Sequence, residues 1–260
     1  MATNKNTALF KKELPFPGKG KAPEIIWLHG WGQDHRSLLR LASLYKNQAR
    51  NTLYDLPGFG KSAMLEPGAG TADYADAIIR DLRKVGPGHR IVAGHSFGCR
   101  VALRIADQAP ELVAGLVLIS AAGLRRKRGL FWTLKSLGLK LLGKIAHLSD
   151  RVFNTALKAK YSKRFGSHDY KAAGPLRPTL VATVTEDLSE ISTRLGTNVL
   201  LLYGDEDTET PPELGIQDHK LLANSCFRIL KGFGHLNILT TGAHQCQHSI
   251  NQFIRDLGGK

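Results

Sequence analysis

Gly94-His95-Ser96-Phe97-Gly98 constrains this chain more than any other stretch, because a serine between two glycines sits where the residue periodicity changes. Before it, Arg90-Ile91-Val92-Ala93 is a short apolar run that reads as a buried strand. After it, Arg100-Val101-Ala102-Leu103-Arg104-Ile105-Ala106 has apolar residues at helical spacing and stops before Pro110. A Gly-x-Ser-x-Gly between strand and helix is a sharp turn that leaves the serine oxygen exposed. Side chains at 94 and 98 would collide with neighbouring backbone, which accounts for both glycines. The oxygen then lies at a helix N-terminus, where N–H groups favour developing negative charge. Ser96 is the candidate nucleophile.

A serine hydroxyl is a poor nucleophile at its own pKa. It needs an imidazole to take its proton, and a carboxylate to hold that imidazole in the right tautomer. Two later strand-like runs lead into suitable residues. The run 198–203 is followed by Gly204-Asp205-Glu206-Asp207, and the run 226–230 by Gly232-Phe233-Gly234-His235. His235 follows a late strand through a glycine-flanked turn, whereas His89, His147, His168 and His219 read as ordinary surface or core residues. The residues alone leave Asp205, Glu206 and Asp207 open as the acid.

The N-terminal third adds two further loops. Glu24-Ile25-Ile26-Trp27-Leu28 reads as a strand and runs straight into His29-Gly30-Trp31-Gly32. The strand-like 51–54 leads into Asp55-Leu56-Pro57-Gly58-Phe59-Gly60-Lys61-Ser62. Gly60-Lys61-Ser62 looks like the end of a phosphate-binding loop, but the glycine that motif requires would fall at position 55. Asp55 stands there, and its carboxylate would repel a phosphate.

With these motifs in this order, nearly the whole chain resembles an α/β-hydrolase of the large esterase–lipase type. The resemblance implies an α/β fold, with a mostly parallel, doubly wound sheet and an inserted helical cap. It implies a carboxylic ester hydrolase working through an acyl-enzyme, with no cofactor. The family order is Ser, acid, His, which early acids such as Asp55 fit badly. The family's Gly-x-x-Asp pattern lands on Asp207, with Asp205 as fallback, and completes Ser96, Asp207 and His235. The residue after His-Gly and the residue after the nucleophile supply the oxyanion-hole N–H groups, so the implied donors are Trp31 and Phe97. His29 is expected to shape its turn, and the Asp55 loop to be structural.

Within that superfamily the His29 and Asp55 loops most resemble pimeloyl-acyl-carrier-protein methyl ester esterases of biotin synthesis. Gly-His-Ser-Phe-Gly-Cys departs from the Gly-Trp-Ser-Leu-Gly-Gly of one branch, which leaves the acyl and leaving groups open. Alternatives are a membrane-associated lipase or lysophospholipase, a thioesterase, and a degenerate ligand-binding member. The last would be expected to lack a triad residue. Haloalkane dehalogenases and epoxide hydrolases use an Asp nucleophile, whereas position 96 is Ser. Cys99, three residues past the nucleophile, reads as a small packing residue whose thiol offers a route to inhibition.

A chain of 260 residues, 42% hydrophobic, can bury a full core. No apolar run reaches 18 residues, and the N-terminus lacks the apolar core of a secretory signal. Three cysteines, an odd number far apart, argue for a reducing, cytoplasmic setting. His244, Cys246 and His248 fall close together, but no fourth ligand stands out and Cys246 points elsewhere on the helix, so no metal is expected.

The interval between the strand-like 116–120 and 198–203 is too long for one crossover helix. It shows helical periodicity over 129–148, 150–164 and 175–190, and reads as a cap at 124–195 inserted into a core of 1–123 and 196–260. Over 124–194, 15 Lys and Arg stand against five Asp and Glu, a net of +10 in a chain of +14. Arg125-Arg126-Lys127-Arg128 leads that segment. Such a run is either a solvated face or a docking site for an acidic partner. The two partners that fit are an acyl carrier protein and an anionic membrane surface. Nucleic acid is not expected, because no nucleic-acid-binding fold is recognisable.

Overall fold

A computed structural model of the chain describes residues 8–18, 22–86, 88, 90–122 and 168–258. Seven strands form one sheet: β1 (Lys11–Leu14), β2 (Glu24–Leu28), β3 (Arg50–Tyr54), β4 (Arg90–His95), β5 (Val113–Ile119), β6 (Asn198–Gly204) and β7 (Ser225–Leu230). Their spatial order is β1-β3-β2-β4-β5-β6-β7. All neighbours run parallel except β1, which pairs antiparallel with β3 along the edge. β1 gives no clear signal in the sequence, because Lys11-Lys12-Glu13-Leu14 is a charged edge strand and not an apolar run.

Alternation along the central strands sorts their side chains into two cores. Ile26, Leu28, Val92, Leu116, Leu118, Val199, Leu201 and Tyr203 pack on one face, under α2 (Thr71–Val85) and α3 (Phe97–Gln108). Ile25, Trp27, Ile91, Ala93, Val117, Ile119, Leu200 and Leu202 pack on the other, under α1 (Arg36–Ser43) and a C-terminal helix at Ala243–Gly258. Helices on both faces of a parallel sheet are what near-continuous apolar strands demand.

The chain lays β3 on one side of β2 and β4 on the other, so strand order reverses between β2 and β4. Loops after neighbouring parallel strands diverge at such a switch point and open a crevice at the carboxyl edge of the sheet. Leu28 aligns with Gly94, His95 with Ile119, and Gly204 with Leu230. All the loops singled out in the sequence therefore leave from one edge.

Of the segment expected to form the cap, residues 124–167 lie outside the described residues, and with them Arg125, Arg126, Lys127 and Arg128. The remainder holds α4 (His168–Ala172), α5 (Arg177–Thr185) and α6 (Ser189–Arg194). Leu188, Ile191 and Leu195 are buried in the same core as α3. The Glu186 carboxylate accepts the Thr71 N–H at the start of α2 (3.0 Å) as well as the Thr71 hydroxyl, and Arg194 pairs with Asp107 at 2.7 Å. Among the described residues the last two α-helices are α7 (Pro212–Leu221) and α8 (Ala243–Gly258). Among the described residues no helix is long and apolar enough to cross a membrane.

Candidate active site

Ser96 ends β4 and precedes α3 with φ at 51°, in the left-handed region that non-glycine residues rarely occupy. Its backbone N–H is held by Ile119 O at 3.0 Å, which ties the turn to the next strand. A Cβ on Gly98 would lie 2.2 Å from Leu28 O, and one on Gly94 would lie 2.6 Å from Gly98 O. Both clashes are with backbone, so neither side chain can be accommodated by a rotamer change. The side chain of Ser96 stays half-exposed while its neighbours are buried. Cys99 is fully buried, and burial pushes its thiol well above the usual range. It stays protonated and out of reach, which closes the route to inhibition that its position suggests.

The loops after β6 and β7 run side by side. Asp205 N–H donates to Leu230 O (3.2 Å) and Glu206 N–H to Phe233 O (3.0 Å). A Cβ on Gly204 would sit 1.9 Å from Phe233 O, so glycine at 204 is what lets the loops touch. Across this contact His235 Nδ1 meets Asp207 Oδ2 at 2.8 Å. The other oxygen, Oδ1, accepts the N–H groups of Glu209 (2.9 Å) and Thr210 (2.8 Å). Burial alone would raise the Asp207 carboxyl, but the hydrogen bonds from His235 and Thr210 outweigh it and hold the group at about 2. An ionised carboxylate only accepts, so Nδ1 carries the imidazole proton and Nε2 presents a lone pair. Asp205 and Glu206 are exposed, and Asp205 instead accepts the Gly232 N–H at 2.6 Å.

His95, the residue before Ser96, is wholly buried, and burial lowers its pKa to about 3, so it stays neutral. Its Nε2–H donates to the backbone carbonyl of His235 at 2.9 Å, and the two rings lie 4.8 Å apart. That contact seats the His235 loop next to the turn bearing Ser96. Among the described residues no hydrogen bond joins Ser96 Oγ to His235. On the open side of the ring, Glu209 Oε2 lies 3.6 Å from Nε2. Neither His95, Glu209 nor Thr210 is singled out by the sequence reading. His95 lay within the Gly-His-Ser-Phe-Gly turn, but no spacing rule gives the residue before a nucleophile a role.

The third wall comes from β2. His29 is buried with its Nε2 accepting the Leu56 N–H (2.9 Å) and Nδ1–H donating to Gly30 O (2.7 Å). Burial lowers its pKa to about 4. It pins the Asp55 loop to the Gly30 turn and has no free nitrogen for proton transfer. Trp31 and Phe97 pack edge to face at 5.3 Å, and Phe59 closes on Trp31 at 5.0 Å. The rings thus bring together the two residues whose N–H groups were singled out. Phe97 opens α3, and first-turn N–H groups have no acceptor within their own helix.

Asp55 is a structural anchor. Its carboxylate takes the His35 N–H (2.7 Å), the His35 ring (2.7 Å) and the Lys61 N–H (2.9 Å). Asp34, His35 and Asp55 bring their ligand atoms within 4.8 Å of one another, but Arg36 occupies both Asp34 oxygens, at 3.0 and 2.6 Å. On α8, Cys246 is buried in the core while His244 and His248 are exposed.

Residues 25–240 match the sequence pattern of the alpha/beta hydrolase family. An esterase of Mycobacterium tuberculosis is 37% identical over 38% of this chain and 33% of its own length. A pimeloyl-[acyl-carrier protein] methyl ester esterase of a Shewanella species is 32% identical over 46% of this chain and 42% of its own. The chain thus spans less than half the length of each of these two relatives. The corresponding enzyme of Nitrosomonas europaea is 28% identical over 74% of this chain and 80% of its own. Among solved structures, a thermophilic esterase of Thermogutta terrifontis superposes with a TM-score of 0.73 over 98% of this chain and 96% of that one, at 17% identity. With the sheet order, the turn at Ser96 and a family match over most of its length, the chain belongs to the alpha/beta hydrolase family.

Proposed function

We propose that the chain is a serine hydrolase that cleaves a carboxylic ester through an acyl-enzyme. The observation that carries this reading is the buried, ionised Asp207 hydrogen-bonded to His235, whose loop is fastened by His95 beside the turn bearing Ser96. In the mechanism His235 Nε2 takes the Ser96 proton as Oγ attacks the ester carbonyl. The carbonyl oxygen becomes an anion facing the Trp31 and Phe97 N–H groups. The imidazolium then gives its proton to the departing alkoxide, leaving an acyl-serine and a free alcohol. Water, deprotonated by the same nitrogen, attacks the acyl-serine, and the proton returns to Oγ as the acid leaves. Asp207 keeps its negative charge throughout and stabilises the imidazolium.

The relatives support an ester carried on an acyl carrier protein as the substrate class. A methyl ester esterase acting on pimeloyl-[acyl-carrier protein] matches most of this chain, and acyl carrier proteins are acidic. Arg125, Arg126, Lys127 and Arg128, in a basic cap spanning 124–195, would steer such a carrier to the crevice. A serine-directed fluorophosphonate tests the chemistry. It should label the parent on Ser96, and Ser96→Ala should lose both the label and turnover of a p-nitrophenyl ester. Near-normal turnover by that variant would sink the proposal.

A further inference from the structure

Three residues past Asp207, Thr210 is buried on the loop after β6. Its Oγ1 lies 2.9 Å from Asp207 Oδ2, 3.1 Å from His235 Nδ1 and 3.0 Å from Ser120 O. One hydroxyl has one proton and two lone pairs. Nδ1 already carries a proton, so Oγ1 can only accept from it. The hydroxyl proton then has two places to go, the Asp207 carboxylate or the Ser120 carbonyl.

An ionised oxygen is the stronger acceptor, and a hydroxyl turned to Ser120 would set its lone pair against Oδ2. Donation to Asp207 is therefore the favoured arrangement. Asp207 then receives four hydrogen bonds: the Glu209 and Thr210 N–H groups on Oδ1, and the Thr210 hydroxyl and His235 Nδ1–H on Oδ2. Two donors on each oxygen fix the plane of the carboxylate. A bare Oδ2 with one donor could rotate and carry the imidazole with it.

We propose that Thr210 is a positioning residue of the hydrolytic site: its hydroxyl holds Asp207 in the plane that aims His235 Nε2 at Ser96. The proposal rests on the triad reading above.

Thr210→Val keeps the shape and removes the hydroxyl; Thr210→Ser keeps the hydroxyl. With a p-nitrophenyl ester, Thr210→Val should lower kcat about tenfold, the order expected for one hydrogen bond to a charged group. KM should change less than about threefold, because uniform binding of substrate is untouched. Thr210→Ser should recover most of the loss. In an Asp207→Asn background the Val substitution should add less than about a twofold loss, since groups acting as a unit are non-additive. Melting temperatures of all variants show whether the loop stays folded, and Thr210→Ala replaces Val if it does not. A parent-like kcat in Thr210→Val, a full tenfold loss in the Asp207→Asn background, or no recovery by Ser would overturn the proposal. Ser96→Ala run in parallel keeps the two readings apart. Turnover in that variant ends the triad itself, whereas an inactive Ser96→Ala beside a fully active Thr210→Val ends only the role of Thr210.

Discussion

Asp218 of α7 should lower the stability of this protein at neutral pH, and removing its charge should restore it. The side chain is 1% exposed, and among the described residues neither carboxylate oxygen has a hydrogen-bond partner. Burial raises its pKa from 3.8 to about 7, although buried Arg100 on α3 pulls the other way. Among the described residues the buried Cys99 and Tyr203 also feel its charge. A group whose pKa is raised by folding contributes stability that is complete below the unfolded value and is lost as pH rises through the folded one. The loss starts near pH 4 and ends just above pH 7, where it totals about 4 kcal/mol at roughly 1.4 kcal/mol per unit. His29 and His95 act in the opposite sense. Their folded values are lowered to about 4 and about 3, so they make the protein more stable as pH rises toward their ordinary value of 6.5. The difference between Asp218→Asn and the parent removes that background. Urea unfolding at pH 5 and pH 8 should show the variant gaining on the parent by about 3 kcal/mol between the two. An unchanged difference, within about 0.5 kcal/mol, would refute the argument, because Asp218 would then titrate as it does in the unfolded chain.

Asp207→Asn should cut turnover by about 10⁴, as loss of the correct imidazole tautomer does in serine proteases. Asp205→Asn should cost far less, because an Asn oxygen can still accept the Gly232 N–H; kcat for the pair decides, and the reverse ranking would reassign the acid. Gly98→Ala should abolish activity and lower the melting temperature, since its Cβ would meet Leu28 O at 2.2 Å; a folded, active variant would show that the turn can widen. Changing Arg125, Arg126, Lys127 and Arg128 to Gln should raise the apparent KM for an ester carried on acyl carrier protein and leave small neutral esters unaffected. Salt should do the same, as the Debye length falls from about 10 Å at 0.1 M to about 3 Å at 1 M. A KM that ignores both would make the basic run a solvated face, and weakened binding to anionic vesicles instead would favour a membrane partner.

The elements legible in the sequence were those whose local pattern and tertiary role coincide. β2, β4, β5 and β6 are buried on both faces, so their apolar runs mark them within a few residues of their bounds. The turn at 94–98 was legible because close backbone approach leaves glycine as the only choice at two positions. β1 was not, because an edge strand needs no apolar run and its charges protect it from pairing with other chains. The order of the motifs, more than any one of them, pointed to the family.

The supporting groups around His235 were opaque for a different reason. Thr210 and Glu209 reach the imidazole from the loop after β6 and His95 reaches the His235 backbone carbonyl from the end of β4, segments distant in sequence, and nothing in a Thr three residues past an Asp marks it as special. Their proximity is created by tertiary contact, chiefly by Gly204 admitting the Phe233 backbone. The glycines before Asp207 and His235 are usually noticed as turn formers. At 204 the constraint is instead the neighbouring loop: any side chain would push the Phe233 carbonyl away and take the 2.8 Å His235–Asp207 contact with it. A residue with no functional group thus controls the contact that holds the His235 ring against Asp207. Gly204→Ala should therefore mimic Asp207→Asn in kcat while leaving the carboxylate in place, and a parent-like rate would show that the two loops can part without separating acid from base.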